Sequence, residues 1–192
     1  MDPVTLAVLG AGIILSSGCR GKTEERKAPS NDDNRKITVN GIYNGVLIQD
    51  PGDLKRTDYE KATKEKLGIS LFFQAFSSGL DFPTERCDAL NKENITAFIK
   101  LEPWSAEGKT DTSFNLDKII SGKFDGQIDQ FAGQCAKWGK PVFISFGHEM
   151  NGNWYPWSGD PEKYRNAYRH LADIFSRRQA NNVTWVWNVN IG

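Results

Sequence analysis

The chain has 192 residues and balances 24 basic against 24 acidic side chains, so that its formal net charge is zero. That balance does not favour a nucleic-acid-binding protein, for which a basic face would be expected. Six tryptophans and 11% aromatic residues are many for an ordinary domain and normal for a protein that binds sugars. The sequence contains only two histidines, His148 and His170, which limits the metal sites that it could build.

The first 18 residues resemble a targeting segment. Val4–Leu15 is almost wholly apolar but short for a helix that crosses a bilayer, and Ser16-Ser17-Gly18-Cys19 follows it. A small residue before a cysteine resembles the acylation site of bacterial lipoproteins. We therefore predict a signal peptide over residues 1–18, lipidation of Cys19, and a location in the cell envelope, lipid-anchored or secreted. The alternative is an ordinary buried or disordered N-terminus.

Residues 19–35 are predicted to be a flexible tether. They are polar and charged, include a run of Asn and Asp residues, and show no apolar period that could form a core. The tether would join a lipid anchor to a single domain over residues 36–192, so that no membrane-spanning helix is needed. Of the two remaining cysteines, Cys87 and Cys135, a disulfide is one interpretation; two small buried thiols are the one we favour.

Strand-like and helix-like patterns alternate from residue 36 onwards. The predicted strands are Ile37–Tyr43, Ile69–Phe73, Thr96–Leu101, Val142–Phe146 and Val183–Trp187. One helix is predicted around Phe124–Trp138, and another begins with Asp160 as its cap and Pro161 in its first turn. Such repeats indicate a parallel sheet covered by helices, either a barrel or an open sheet. No Gly-rich phosphate loop follows any strand, which counts against a nucleotide-binding open sheet.

The most informative segment is Pro141–Trp157, PVFISFGHEMNGNWYPW. A short apolar strand ends at His148-Glu149, and three aromatic residues follow within eight positions. A carboxylic acid at the end of a buried strand, beside tryptophans, suits an enzyme that protonates a sugar oxygen. The plain alternative is a strand that ends in a polar turn, with the tryptophans in the core. The His-Glu-x-x-His pattern of zinc proteases is not matched, because Gly152 occupies the second ligand position, and we expect no metal or organic cofactor.

Together with three other segments, this motif resembles glycoside hydrolase family 26, the β-mannanases and mixed-linkage β-glucanases. The other segments, in the order the family has them, are Ile42-Tyr43-Asn44-Gly45, Leu101-Glu102-Pro103-Trp104 and Asn182–Asn188. The resemblance implies a (β/α)8 TIM barrel and a retaining mechanism with two glutamates. It maps the acid/base onto Glu149 at the end of the fourth strand and puts the nucleophile at the end of the seventh.

About 157 residues follow the tether, whereas such a barrel needs roughly 250. We therefore expect only about the first five β/α units here, with the nucleophile outside the chain. Five strands alone cannot close a barrel. The sequence is then either part of a longer protein, which we favour, or the product of a truncated gene.

The resemblance also implies roles for other residues. His148 would hydrogen-bond the nucleophile or the sugar, and Trp154, Trp157 and Trp104 would offer ring faces to sugars. The alternatives are a histidine that only fixes the loop and tryptophans that belong to the core. Glu102 would orient its neighbours. Many family members have an arginine four residues before the acid/base, where this chain has Ser145, and a serine cannot replace that charge.

The leading functional hypothesis is an endo-acting, retaining glycoside hydrolase that cleaves β-1,4-mannan, with mixed-linkage β-1,3-1,4-glucan as the second substrate. A different class also fits: a surface lipoprotein that binds glycan without cutting it, or an inactive fragment without a nucleophile. The expected partners are a polysaccharide and, through the lipid anchor alone, a membrane. We expect a monomer and no nucleic acid.

Overall fold

The computed structural model describes residues 6–9, 12–14, 43–47, 60–61, 64–105 and 107–191. Cys19 and the predicted tether lie outside these residues, whereas residues 6–9 and 12–14 belong to the predicted signal peptide. The signal peptide and the lipid anchor stay predictions, which labelling of cells with a fatty-acid analogue would test. Within the described part of the chain, no helix has the length and apolar character needed to cross a membrane.

Seven strands and four helices make up the described structure. The strands are β1 (Leu6–Leu9), β2 (Gly12–Ile14), β3 (Tyr43–Leu47), β4 (Ile69–Ala75), β5 (Thr96–Glu102), β6 (Val142–Phe146) and β7 (Val183–Trp187). The helices are α1 (Thr84–Lys92), α2 (Leu116–Ile120), α3 (Asp125–Trp138) and α4 (Pro161–Arg177), and a 3₁₀ turn spans Phe76–Ser78.

Five strands, β3 to β7, run parallel in chain order, as the sequence predicts for a barrel. The ring closes through two short strands, since β1 pairs parallel with β7 and antiparallel with β2, which pairs antiparallel with β3. These pairings occupy the two edges that five strands alone would leave open. The result is an α/β barrel that is closed by a β-hairpin instead of by additional strand–helix units. Because β1 and β2 both lie within residues 1–18, this closure requires a chain that keeps the predicted signal peptide.

The predicted strands agree closely with the structure, with one shift. Val142–Phe146 and Val183–Trp187 have the predicted bounds, and β4 and β5 each extend slightly further than predicted. The first strand begins at Tyr43, where the prediction ended. Its carboxyl end is therefore at Leu47, and Asn44 lies within the strand instead of following it.

The barrel strands present one face to the helices and the other to the interior. Val142, Ile144 and Phe146 of β6 belong to the core beneath the helices, while Phe143 meets Phe98 of β5 in the interior with ring centroids 6.2 Å apart. This two-residue alternation assigns every second side chain to each layer. The carboxyl ends of β4 to β7 consequently gather at one mouth of the barrel.

The helices begin and end where local chemistry allows. At the start of α4, the Asp160 carboxylate accepts hydrogen bonds from the backbone N–H groups of Glu162 and Lys163, which confirms the predicted cap.

The cysteines Cys87 and Cys135 are buried and free, and burial raises the pKa of each thiol to about 12. The favoured interpretation, two small buried thiols, is therefore confirmed.

Candidate active site

The turn after β6 places Glu149 at the barrel mouth. Gly147 and Glu149 both have left-handed backbone conformations, with φ of 54° and 53°. The N–H of Gly147 donates to the Leu101 carbonyl at 2.9 Å, and that of Glu149 donates to the Asn188 carbonyl at 2.7 Å. A left-handed residue with a side chain costs about 1 kcal/mol or more, so the flanking strands hold Glu149 in a conformation that it would not adopt alone.

The carboxylate of Glu149 lies against an exposed tryptophan. Its Oε2 accepts a hydrogen bond from the Trp154 indole N–H at 3.1 Å. Glu149 is half-buried, whereas Trp154 is 45% exposed. Trp154 passes over Gly152, where a Cβ would lie only 2.4 Å from the indole ring. An acid and a flat apolar surface thus stand side by side, with the glycine leaving room for the ring.

His148 is buried behind this pair. Only 3% of the residue is exposed, its Nε2 is 2.9 Å from the Tyr155 hydroxyl, and its Nδ1 is 3.8 Å from Glu102 Oε1 without forming a hydrogen bond. Burial, with a smaller contribution from the positive charge of Lys100, lowers the pKa of His148 to about 3. The imidazole is therefore neutral at physiological pH and acts as a hydrogen-bonding group, not as a cation.

This depressed pKa predicts an acid-sensitive fold. The unfolded chain has a histidine pKa near 6.5, so between pH 6.5 and about 3 it binds one more proton than the folded chain. The free energy of unfolding should fall as the pH is lowered through that window. His148 alone should lower it by about 2 kcal/mol between pH 7 and pH 5.

Thermal unfolding of the wild type and of His148→Gln, measured between pH 7 and pH 5, checks the expectation. Most surface carboxylates stay ionised in this range, so the difference between the two curves isolates His148. The wild type should lose more stability than the variant on acidification. Parallel curves would show that His148 takes up its proton in the folded protein as readily as in the unfolded one.

Glu102 is a second carboxylate at the mouth, and it is 9% exposed. Burial raises its pKa; the approaching Trp104 N–H and the charge of Lys100 oppose that rise. The Trp104 N–H does not complete a hydrogen bond. Glu102 Oε1 lies 3.8 Å from His148 Nδ1, and its role of orienting its neighbours stays a prediction.

Trp157 does not offer a sugar-binding face. It is 1% exposed, donates its indole N–H to the His148 carbonyl at 2.8 Å, and stacks on Tyr155 with centroids 4.3 Å apart. Trp104 is half-buried and meets both rings edge-on at 5.4 and 5.5 Å. Of the three predicted platforms, Trp154 is thus the one with an exposed ring, whereas the buried Trp157 stabilises the turn through its hydrogen bond to the His148 carbonyl.

Sequence reasoning missed several residues at the mouth. Tyr155 lay within the motif but received no role, although its hydroxyl is the partner of His148. Phe73 is 36% exposed, and the centroid of its ring lies 5.3 Å from that of His148. Lys100 is a half-buried cation on β5. A lysine inside an otherwise apolar strand was the available signal for Lys100. Nothing in the pattern around Phe73 distinguished it from a core residue.

The buried polar atoms at this mouth include four without partners, namely Trp104 Nε1, Ser145 Oγ, His148 Nδ1 and Asn188 Oδ1. Unpaired buried polar atoms are costly, and a catalytic role or a bound group is one explanation for them. In the part of the chain that the structure describes, no three His, Cys, Asp or Glu side chains gather as a metal site would require. The arrangement offers a proton donor, an apolar ring face and hydrogen-bonding groups behind them.

Comparison with known proteins finds one matching family and one curated relative. Residues 107–191 match the family model described as Glycosyl hydrolase family 26. Endoglucanase H of Acetivibrio thermocellus is 31% identical over 147 residues, which cover 73% of this chain and 15% of that protein.

Two solved structures share the fold. A β-mannanase from a symbiotic protist of the termite Reticulitermes speratus, complexed with gluco-manno-oligosaccharide, superposes with a TM-score of 0.55 at 15% identity, covering 74% of this chain and 55% of that one. A GH26A protein of a Muricauda species gives 0.50 at 22% identity, covering 70% and 53%. The chain thus spans about half the length of these structures and a smaller share of the curated relative.

Proposed function

Because the chain belongs to glycosyl hydrolase family 26, we propose that it carries the acid/base half of a retaining, endo-acting β-glycanase site, with Glu149 as the acid and base. The observation that supports this most is the position of Glu149. It lies three residues beyond a fully buried strand, donates its backbone N–H to Asn188 at the end of the neighbouring strand, and adjoins the exposed ring of Trp154. An acid beside a sugar-stacking surface is what protonation of a glycosidic oxygen requires.

In the proposed reaction, a sugar ring stacks on Trp154 and its glycosidic oxygen approaches the Glu149 carboxyl. Glu149 donates its proton as the bond to the anomeric carbon breaks, while a second carboxylate attacks that carbon from the opposite face. Glu149, now ionised, then takes a proton from the water that releases the covalent intermediate. The resemblance puts the nucleophile on a strand beyond β7, so the whole reaction is proposed for the natural full-length protein.

The proposed substrate is a β-linked hexose polymer. The family resemblance alone favoured β-1,4-mannan, whereas the relative that is 31% identical is named an endoglucanase. That name favours a glucan, so mixed-linkage β-1,3-1,4-glucan is the first substrate to test and β-1,4-mannan the second. Mannose and glucose differ at the C2 hydroxyl, which none of the described contacts identifies.

Release of reducing ends tests the proposal. The natural full-length protein would be incubated with mixed-linkage β-glucan, β-1,4-mannan and, as a control, an α-linked glucan. We expect hydrolysis of one β-glycan into oligosaccharides, with the β-anomer formed first, as NMR of fresh products would show. Binding of the same glycans without any new reducing end would instead favour the glycan-binding lipoprotein.

Gly152 offers a way to test the Trp154 platform. Gly152→Ala would place a methyl group 2.4 Å from the indole ring and should push Trp154 away from Glu149. Since a hydrogen bond to a charged group is worth about 1.5–3 kcal/mol, kcat/KM should fall roughly tenfold or more.

Two further variants control this experiment. Trp154→Phe keeps a ring face but removes the N–H, whereas Gly133→Ala adds a methyl group in α3 where no atom lies within 4 Å. The first should lose activity and the second should keep it. Full activity of Gly152→Ala would mean that the contact between Trp154 and Glu149 is unimportant.

A further inference from the structure

The turn that carries Glu149 is joined to the segment after β7 at two points. The backbone N–H of Glu149 donates to the Asn188 carbonyl at 2.7 Å. Two residues further along both segments, the Asn151 side-chain amide donates to the Asn190 carbonyl at 2.8 Å and accepts a hydrogen bond from the Asn190 N–H at 2.9 Å. Three hydrogen bonds thus connect residues 149–151 with residues 188–190.

Asn151 supplies through its side chain what a paired strand supplies through its backbone. Its amide uses both a donor and the acceptor on one residue, Asn190. Beyond Phe146 the chain leaves the sheet, since Gly147 and Glu149 have left-handed conformations that do not continue a strand. The side-chain amide therefore extends the connection between the two segments past the end of the pairing between β6 and β7.

Asn151 also lies next to the glycine beneath the Trp154 ring. The Gly152 N–H donates to the Glu149 carbonyl at 3.0 Å, which closes the turn. The Trp154 ring passes so close to Gly152 that a Cβ there would lie 2.4 Å from it, and the indole N–H reaches Glu149 Oε2 at 3.1 Å. If Asn151 moved away from Asn190, the backbone beneath Trp154 would move with it, and the contact between the indole and the carboxylate would change.

We infer that Asn151 is a positioning residue of the proposed site, which holds the Glu149 turn against the segment after β7 through its paired hydrogen bonds with Asn190. The inference rests on the proposed function, since it concerns the placement of the acid. A general acid must lie within hydrogen-bond reach of the leaving oxygen, and a misplacement of about 1 Å can slow a reaction by about 10²-fold. The Asn151 side chain is exposed, so it can be replaced without leaving a cavity in the core.

Three variants of the natural full-length protein isolate the contribution of the paired hydrogen bonds. Asn151→Asp keeps the acceptor for the Asn190 N–H but sets a carboxylate oxygen against the Asn190 carbonyl, whereas Asn151→Ala removes both hydrogen bonds. Asn153→Asp adds the same charge two residues further on. Its side chain is exposed and makes no hydrogen bond within the described part of the chain, so it serves as the matched control.

The kinetic effect should depend on the leaving group. We expect both Asn151 variants to lower kcat on an unactivated β-glycan by on the order of tenfold, with KM little changed, and to lose less on an aryl glycoside that needs little protonation. Asn153→Asp should match the wild type on both substrates. Equal losses on both substrates would mean that Asn151 serves the fold alone, and a raised KM with unchanged kcat would mean that it contacts the sugar. Either result would overturn the inference.

A second measurement needs no substrate. Amide hydrogen exchange, followed by NMR, should be faster at Glu149 and Asn190 in both Asn151 variants, with the amides of β6 unchanged and Asn153→Asp like the wild type. A wild type that cleaves β-glycan, with the same exchange at Glu149 in all variants, would overturn the inference and leave the proposed function intact. A wild type that cleaves nothing would remove the proposed function, and exchange at Glu149 would still decide whether Asn151 holds the turn.

Discussion

Replacing Glu149 by glutamine should reduce hydrolysis of an unactivated β-glycan by about 10²–10⁴-fold, the range that general acid–base catalysis supplies. The amide keeps the shape of the carboxylate and can still accept the hydrogen bond from Trp154, whose N–H lies 3.1 Å from Glu149 Oε2. What it loses is the proton for the leaving oxygen. The loss should therefore appear in kcat, with glycan binding largely kept.

Substrates with different leaving groups make this expectation specific. An aryl glycoside with a good leaving group departs with little need for protonation, so formation of the covalent intermediate should be much less affected in Glu149→Gln. Loss of a nucleophile would slow both substrate types alike. Glu149 would lose its assigned role if the variant cleaved polysaccharide at near the wild-type rate, or if both substrates suffered equally.

Two other carboxylates serve as matched controls. Glu162 is exposed in the first turn of α4 and is not among the residues of the candidate site, so Glu162→Gln should leave activity unchanged. Glu102→Gln alters a buried neighbour of His148 and should give a smaller loss that is similar for both substrate types. A leaving-group dependence in Glu102→Gln instead would move the acid role to Glu102.

Much of this fold could be predicted because its signals are local. The apolar runs that end at Phe146 and Trp187 are short and sharply bounded, and both strands have the predicted limits. Asp160 and Pro161 mark the start of α4 in the same way, since a cap and a fixed φ act on adjacent residues. Closure of the ring through β1 and β2 depends on pairing between distant segments, which no local pattern encodes.

The candidate site could be predicted in part for the same reason. Glu149 and Trp154 are five residues apart in one motif, so their proximity follows from the turn that joins them. Trp157 lies in the same motif, yet its burial depends on Tyr155 and on Trp104, which follows the preceding strand β5. The approach of Lys100 to Ser145 likewise depends on the register between two strands, and register is a property of the folded sheet.

The turn that carries Glu149 depends on Gly147, and we expect Gly147→Ala to be strongly destabilising. The φ of 54° is unfavourable for alanine by about 1–2 kcal/mol. A Cβ at this position would also lie 3.0 Å from the Tyr164 ring and 3.1 Å from Trp157, both buried, and overpacking of this kind costs about 1–3 kcal/mol. The two effects together predict a loss of about 2–5 kcal/mol in the free energy of unfolding.

Denaturant unfolding of Gly147→Ala beside Gly133→Ala measures this loss. Gly133 lies within α3 with no atom within 4 Å of an added Cβ, so its alanine variant should be more stable by about 0.5–1 kcal/mol. The opposite signs follow from the backbone: one glycine is required by a left-handed turn, and the other only weakens a helix. Equal small effects in both variants would mean that the turn can relax away from Tyr164 and Trp157. In that case Gly147 would not fix the position of Glu149. The hydrogen bond from the Glu149 N–H to the Asn188 carbonyl would then be the contact that holds Glu149 in place.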